Sequence, residues 1–518
     1  TAICREESMK SILACLAGMF LMMCAAPATG AVDSAAGLAY GPHPVGFELA
    51  QTADPARSFP ALDGTGVRSR PMRIYIWYPA REAGQQSLTI GDFVRMAADD
   101  FRLSTRAEDH GVRDSLPVPL REGLDDRQRA ALLANRLAAC RGIQSAAGEF
   151  PLLVLGQGLY YESPLSHIYL CEYLASRGYV VATCPLLGTQ YRLVNLSIED
   201  LETEIRDLEF TIAAARSQPG IRTGRLGIIG YDMGGMAGLV LTMRNPGVEA
   251  YLSMDSGILS PHYSGLPGTH PSYRETRFTV PWMHMMQARF IAPSTDTLKT
   301  RGLFNRKVYG NSWLVAVPTD NHGQFSSYAR FGIRGAIPGY WGPVAADAGE
   351  LHDAICRMAG TFFDAVLKGD TGAMETLLSL STAESKYPGA VTSKQGRPFP
   401  VSAATQMHRL IEEGVAESRP AIERLHAADP AAPMPDAGEL RWLGYHFLRW
   451  WGRESEAVEV FQLAVELYPA SADAHAALGD ALQMLGRSDE AITELRTALE
   501  LNPDQPRVVR LLESLTKH

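Results

Sequence analysis

From residue 150 onward the apolar positions come in short unbroken runs separated by longer amphipathic stretches. The runs at 151–155, 179–183, 226–230, 250–254, 279–285 and 312–317 predict strands buried on both faces. Between them, 167–177, 198–216 and 236–243 carry helical spacing, and in the second Leu201, Ile205, Leu208 and Ile212 share one face. A further helix is expected over 349–369. Upstream, MRIYIWYPA at 72–80 alternates and is rich in aromatic and β-branched residues, so it reads as a strand. Residues 86–146 are polar and helix-prone, without strand signals, and read as a helical insertion that serves as a lid over a nearby site. Apolar strands alternating with helices imply the α/β class: a mostly parallel sheet covered on both faces.

Past residue 400 the pattern becomes helical alone, and it repeats. Gly452 and Gly486 stand 34 residues apart, as do Ala457 and Ala491, Ala464 and Ala498, and Pro469 and Pro503. GRESEA at 452–457 answers GRSDEA at 486–491. A 34-residue helix–turn–helix period with small residues at the helix contacts is the tetratricopeptide signature. It gives two repeats, about 438–471 and 472–505, and a capping helix over 506–518. Residues 401–437 read as a helical linker, with a hinge in the Pro/Ala/Asp-rich stretch 428–437. Two repeats bury little core by themselves, so they are expected to dock on 400–427 or on a second copy, and to bind a protein partner.

The N-terminal pattern is different again. Met9-Lys10 is followed by an apolar stretch to Cys24 and then Ala26-Pro27-Ala28, which reads as a secretory signal over 1–31 with Met9 as the natural start. The expected location is therefore secreted or periplasmic. The stretch is short for a membrane span, and Met23 before Cys24 fits a lipoprotein box poorly. The α/β-domain is then expected over 32–400.

Composition narrows the functional classes. A chain of 518 residues suggests two or three folding units, and 46% hydrophobic residues support packed cores. A formal net charge of −9 argues against a nucleic-acid partner, which would need a basic face. Cys140, Cys171, Cys184 and Cys356 follow the signal; they allow one disulfide in an oxidising compartment without fixing its pairing. No metal-ligand spacing and no dinucleotide glycine pattern stands out, so no cofactor is implied.

The chemistry concentrates on one turn. Strand 226–230 runs into Gly230-Tyr231-Asp232-Met233-Gly234-Gly235 and then a helix, the strand–elbow–helix frame of G-x-S-x-G with Asp at the centre. Asp255 follows the strand at 250–254, and His322 follows the strand at 312–317. Nucleophile, acid and histidine in this chain order, each just past a strand's C-terminal end, converge on one mouth of the sheet. Asp255 would orient His322, and His322 would face Asp232. The turn Gly156-Gln157-Gly158-Leu159 would supply one oxyanion N–H, from Leu159, and Met233 the other. Gln157, Tyr160, Tyr161 and Tyr231 lie close enough in sequence to be pocket candidates, although aromatic residues here also serve as core. As an isolated residue Asp232 would read as a helix N-cap, and His322 as a surface turn.

The stretch RIYIWYP at 73–79, Gly156-Gln157-Gly158, LCEYLASRGYVVA at 170–182 and Gly230-x-Asp232-x-Gly234-Gly235 resemble the α/β-hydrolases of the platelet-activating-factor acetylhydrolase and dienelactone hydrolase type. The resemblance covers about residues 45–370. It implies ester or lactone hydrolysis, with the acid at Asp255 and the histidine in the loop His322-x-x-Phe325-Ser326. Two positions depart from that family: Asp232 replaces its serine, and Gln157 replaces the usual histidine before the oxyanion glycine. A carboxylate attacking an acyl carbon would form a high-energy anhydride, whereas attack on an alkyl carbon gives an ordinary ester that His-activated water cleaves. Haloalkane dehalogenases and α/β epoxide hydrolases use Asp at this elbow. The expectation is a hydrolase with an Asp232–His322–Asp255 triad acting on a small ester, lactone or related alkyl substrate. The alternative is a catalytically silent hydrolase-fold protein that binds partners through its repeats.

Overall fold

The computed structural model describes residues 37–516 apart from 63, 104–119, 121–122, 160–162, 191–193, 260–264, 291–301, 332–334, 338–340, 345–346, 381–390, 397–405, 408–409, 412–413 and 429–433. The predicted N-terminal signal, Tyr160 and Tyr161 therefore lie outside the described residues, as does part of the proposed lid.

The strands in chain order are β1 (Val45–Pro60), β2 (Val67–Pro79), β3 (Ser87–Thr89), β4 (Arg136–Arg141), β5 (Phe150–Gly156), β6 (Val180–Thr183), β7 (Thr223–Tyr231), β8 (Val248–Met254), β9 (Trp282–Gln287), β10 (Ser312–Val317), β11 (Gly335–Ile337), β12 (Trp341–Val344) and β13 (Val391–Lys394). Eleven of them form one sheet in the order β13-β10-β9-β8-β7-β5-β6-β2-β1-β4-β3, and β11 and β12 form a separate hairpin. The block from β6 to β10 is parallel. β2 pairs antiparallel with both β6 and β1. The chain runs from β5 to β6 on one side and then to β7 on the other. This reversal opens a crevice at the C-terminal ends of β5 and β7.

The main helices are α1 (Ile90–Phe101), α2 (Asp126–Ala134), α3 (Ile168–Ser176), α4 (Ile198–Arg216), α5 (Met233–Arg244), α6 (Ala348–Leu367) and α7 (Thr371–Ser379). They cover the sheet in two layers. On one face α3, α6 and α1 pack on Tyr75, Trp77, Leu153, Leu155 and Ile229. On the other, α4 and α5 pack on Ile74, Ile76, Leu152, Val154 and Ile228. Adjacent strand residues feed opposite cores because side chains alternate along a strand. Each fully buried Leu, Ile or Phe contributes about 1.5–3 kcal/mol.

The stretch 86–146 is not all helix. β3 and β4 lie within it, and β4 adds to β1 in parallel, extending the sheet past the predicted strands. Its sequence RLAACR is mostly small and charged, so pairing rather than propensity makes it a strand. The buried Glu172 of α3 fastens it by accepting N–H bonds from Ala138 and Ala139 at 3.1 and 2.8 Å and the Tyr40 hydroxyl at 3.0 Å. Burial pushes the Glu172 carboxyl up to about 7, against the opposing pull of those donors. α1 packs beside it, with Phe93 stacked on Trp77 at 5.7 Å. The described part of the stretch thus builds the sheet's flank. α1 also reaches the short helical turn Pro164–His167, which follows the oxyanion loop.

C-terminal helices α8 (Val415–Ala428), α9 (Ala437–Arg449), α10 (Glu454–Leu467), α11 (Ala472–Met484), α12 (Ser488–Leu501) and α13 (Pro506–Thr516) form the repeat module. Leu410, Val415 and Ile422 join Leu440, Phe447, Phe461 and Leu478 in one core, so the linker region belongs to the module. Gly444 lies where an added Cβ would collide with the ring of Phe461, which is why a small residue stands at that helix contact. Arg277 reaches from the sheet domain to Asp436 and Glu439, the capping pair of α9, at 3.2 and 2.9 Å. Cys140, Cys171, Cys184 and Cys356 are buried and free.

Candidate active site

β7 is apolar and ends at Tyr231; α5 begins at Met233, leaving Asp232 alone at the corner. Its backbone sits at φ 50°, ψ −114°, and its side chain makes no cap bond, which removes the N-cap reading. Among the described residues, Asp232 and Asp255 are the two non-glycine residues with positive φ. Backbone strain of this kind costs about 1–3 kcal/mol per residue and clusters at functional sites. The glycine frame makes the turn possible. A Cβ on Gly230 would run into Gly235, and one on Gly234 into the backbone of Gly156.

The structure brings Asp232, His322 and Asp255 together. His322 Nδ1 lies 2.6 Å from Asp255 Oδ2, and His322 Nε2 lies 3.9 Å from Asp232 Oδ2. The first distance is a hydrogen bond in which the ring donates to the carboxylate, leaving Nε2 as the acceptor. The second is just past hydrogen-bond reach, the looseness normal for such a pair without substrate. Exposure divides the three: the Asp232 and His322 side chains are 22% and 19% exposed, and Asp255 only 5%. The first two therefore meet solvent, and Asp255 stands behind the ring.

Gln287, at the end of β9, holds Asp255 in place. Its backbone N–H donates to Asp255 Oδ1 at 3.1 Å and its side-chain amide to Oδ2 at 2.6 Å. Sequence reasoning missed it, because a glutamine after a strand carries no signal until the neighbouring strand is placed.

The Leu159 N–H donates to Asp232 Oδ2 at 2.9 Å. Met233 heads α5, so its N–H is among those a helix start leaves without an intrahelical acceptor. The loop carrying Leu159 is pinned to the elbow helix by a bond from the Gly234 N–H to the Gln157 carbonyl at 2.8 Å. The Gln157 side chain, expected near a pocket, is buried and turned into the sheet, where it donates to the Thr183 hydroxyl at 2.8 Å. It braces the loop. Tyr231 is likewise buried; its hydroxyl donates to the backbone carbonyl of His322 at 3.2 Å, so it faces the histidine loop and not a substrate.

Two further buried groups surround the site. Among the described residues Glu204 of α4 has no hydrogen-bond partner at either oxygen. Burial, then the nearby Asp207, Asp232 and Asp200, push its carboxyl well above the usual range. His167 is fully buried, and desolvation followed by the proximity of His322 brings its ring down to about 3, so it is neutral at working pH. Among the described residues no cluster of three or more His, Cys, Asp or Glu could hold a metal ion. No described helix is long and apolar enough to cross a membrane.

The arrangement couples a solvent-reachable carboxylate to a carboxylate-backed imidazole, with a backbone N–H aimed at the carboxylate itself. That set is suited to forming an ester on the carboxylate and then delivering water to it.

Comparison with known proteins gives matches of different reach. Residues 452–515 match the tetratricopeptide repeat family. No curated protein matches the chain. Among solved structures, it is similar to a ferulic acid esterase from Streptomyces cinnamoneus, at 20% identity and a TM-score of 0.48 over 68% of this chain and 96% of that one. Strand order, parallel crossovers and the elbow define the fold: an α/β-hydrolase domain followed by a tetratricopeptide module.

Proposed function

We propose that the protein is a hydrolase that works through a covalent ester on Asp232, acting on a small alkyl electrophile such as an epoxide, a haloalkane, or the alkyl carbon of an ester or lactone. The observation that carries this reading is the bond from the Leu159 N–H to Asp232 Oδ2. In a serine hydrolase that donor must be open to the substrate's oxyanion. Here the elbow residue fills it, and a carboxylate carbon is where the second step needs an oxyanion.

The steps follow from the geometry. Asp232 Oδ1, which makes no hydrogen bond among the described residues, attacks the substrate carbon, and the leaving group departs with its electron pair. Oδ2 is then the carbonyl oxygen of the new ester, still on the Leu159 N–H. Water gives a proton to His322 Nε2 and attacks the Asp232 carboxyl carbon; Asp255 stabilises the imidazolium. Collapse of the tetrahedral centre breaks the bond between the carboxyl carbon and Oδ1, which leaves with the alkyl group, while the water oxygen stays on Asp232 and its second proton goes to solvent. The departing Oδ1 takes the proton from His322, and the product leaves as an alcohol.

The resemblance to esterases and lactonases supports hydrolysis, and the repeats, with a cleft of about 210 Å³ between Arg441, Tyr445, Asp480 and Arg507, support a protein partner. The N-terminal apolar stretch supports export to the periplasm or outside the cell. The same filled oxyanion donor also favours the second reading, a silent binding protein, since an occupied donor is closed to acyl substrates. A panel of epoxides, haloalkanes, esters and lactones, run with Asp232→Asn as control, decides between them. Turnover lost in that variant supports the hydrolase; none on any class leaves the binding protein.

A further inference from the structure

Tyr231 lies between two histidines from distant parts of the chain. Its ring stacks on His322, with centroids 4.6 Å apart and planes 15° apart. His167 meets the same ring edge-on, at 4.8 Å and 71°. The Tyr231 hydroxyl ties this stack to the histidine loop through the His322 carbonyl at 3.2 Å. Among the described residues His167 has no hydrogen-bond partner at either ring nitrogen, although it is fully buried. A buried polar ring without partners is costly, so hydrogen bonding does not explain its place; its contact with Tyr231 does.

Resting on the reading of Asp232, His322 and Asp255 as the reacting set, we propose that Tyr231 is a positioning residue: held by the edge of His167, its ring fixes the plane of the His322 imidazole between the two carboxylates, and its face stabilises the imidazolium formed when His322 takes a proton from water.

The geometry accounts for both halves of the role. An imidazole joined to Asp255 by one hydrogen bond still turns about that bond. A parallel ring at 4.6 Å stops the rotation and keeps Nε2 toward Asp232. An aromatic face is negative at its centre, so it favours the ring more once the ring is charged. Among the contacts named above, Asp255 faces His322 at Nδ1, Asp232 lies toward Nε2, and His167 stands across the tyrosine. The two carboxylates also favour the imidazolium. His167, kept neutral by burial, adds no repulsion to it. A neutral, unpartnered histidine is thus compatible with a site that charges and discharges its neighbour.

The test reads His322 directly. The imidazole signals of the full chain are titrated by NMR in the wild type, Tyr231→Phe and Tyr231→Leu. Removing the face in Tyr231→Leu is expected to lower the His322 midpoint by roughly half a unit to one unit. Tyr231→Phe, which keeps it, is expected to hold the midpoint within about a quarter of a unit. Because the base must be neutral, the acid limb of the hydrolysis profile should move to lower pH by the same amount, with kcat reduced about 10- to 100-fold and KM little changed. An unmoved His322 midpoint in folded Tyr231→Leu overturns the proposal. Should that variant not fold, Tyr231→Trp replaces it: a larger face should raise the midpoint, and a fall or no change overturns the role. If the wild type hydrolyses nothing, the functional reading fails, while the titration still decides whether Tyr231 sets the ring.

Discussion

The backbone N–H of Leu159 and the side chain of Asp232 are hydrogen-bonded at 2.9 Å across the crevice between β5 and β7. The donor that a serine elbow leaves for substrate is taken by the elbow residue. Asp232→Ser should reverse this. It shortens the side chain, frees the Leu159 N–H and leaves His322 and Asp255 in place. Hydrolysis of an activated aryl ester should rise at least about 10-fold over the wild type, while any epoxide or haloalkane turnover disappears. An unchanged ester rate in the folded variant would show that the loop does not present this donor to substrate.

The covalent step leaves an isotopic record. A single turnover in heavy-oxygen water should place label in the peptide containing Asp232, because solvent oxygen replaces the one lost to product. His322→Gln should stop the second step and add the substrate's mass to that peptide. Label confined to the product, with no adduct, would make Asp232 a general base.

Gln287 offers a test of how firmly Asp255 must be held. Its two bonds to that carboxylate leave the third interaction, from His322, with one direction to point. Gln287→Leu removes the shorter of the two. Hydrogen bonds to charged groups contribute about 1.5–3 kcal/mol, so kcat should fall roughly 10- to 100-fold. Gln287→Glu should be worse, since it sets a second negative charge against Asp255. Steady-state kinetics that leave kcat within twofold in Gln287→Leu would remove it from the site's support.

Stability should depend on pH through Glu172. Its carboxyl is raised to about 7 in the folded chain, above its ordinary value. The folded state therefore holds a proton that the unfolded state has lost, so the contribution is complete below about 4.5 and fades as pH rises through about 7. The loss amounts to at most about 3 kcal/mol on that shift. Urea midpoints at pH 5 and pH 8 should differ by less in Glu172→Gln than in the wild type. An equal difference in both would place the dependence elsewhere.

How much of this was legible in the sequence follows from where each residue finds its partners. The strands from β5 to β10 were readable because both faces are buried, so the run itself is apolar. β1 was not, since its outer half is polar and solvent-exposed, and β4 was not, since Ala and Cys gain strand character only beside β1 and Glu172. Asp232 was visible through the glycines that its own backbone strain requires. Asp255 and His322 were visible because chain order places them past strand ends. Gln287 and His167 were not, because nothing local marks a residue whose role is set by contacts more than thirty positions away.

The sheet's two borders have a consequence for assembly. It ends on four-residue β13 at one side and three-residue β3 at the other. Long open borders invite another chain to add a strand, and very short ones deny it a template. The two terminal rims therefore offer few free amide and carbonyl groups for register-matched pairing. The longer border is on β1: β4 covers it only over Val45–Phe47, and its remainder to Pro60 pairs with β2 alone among the described strands. A strand added from another chain would find its template there and not at either rim.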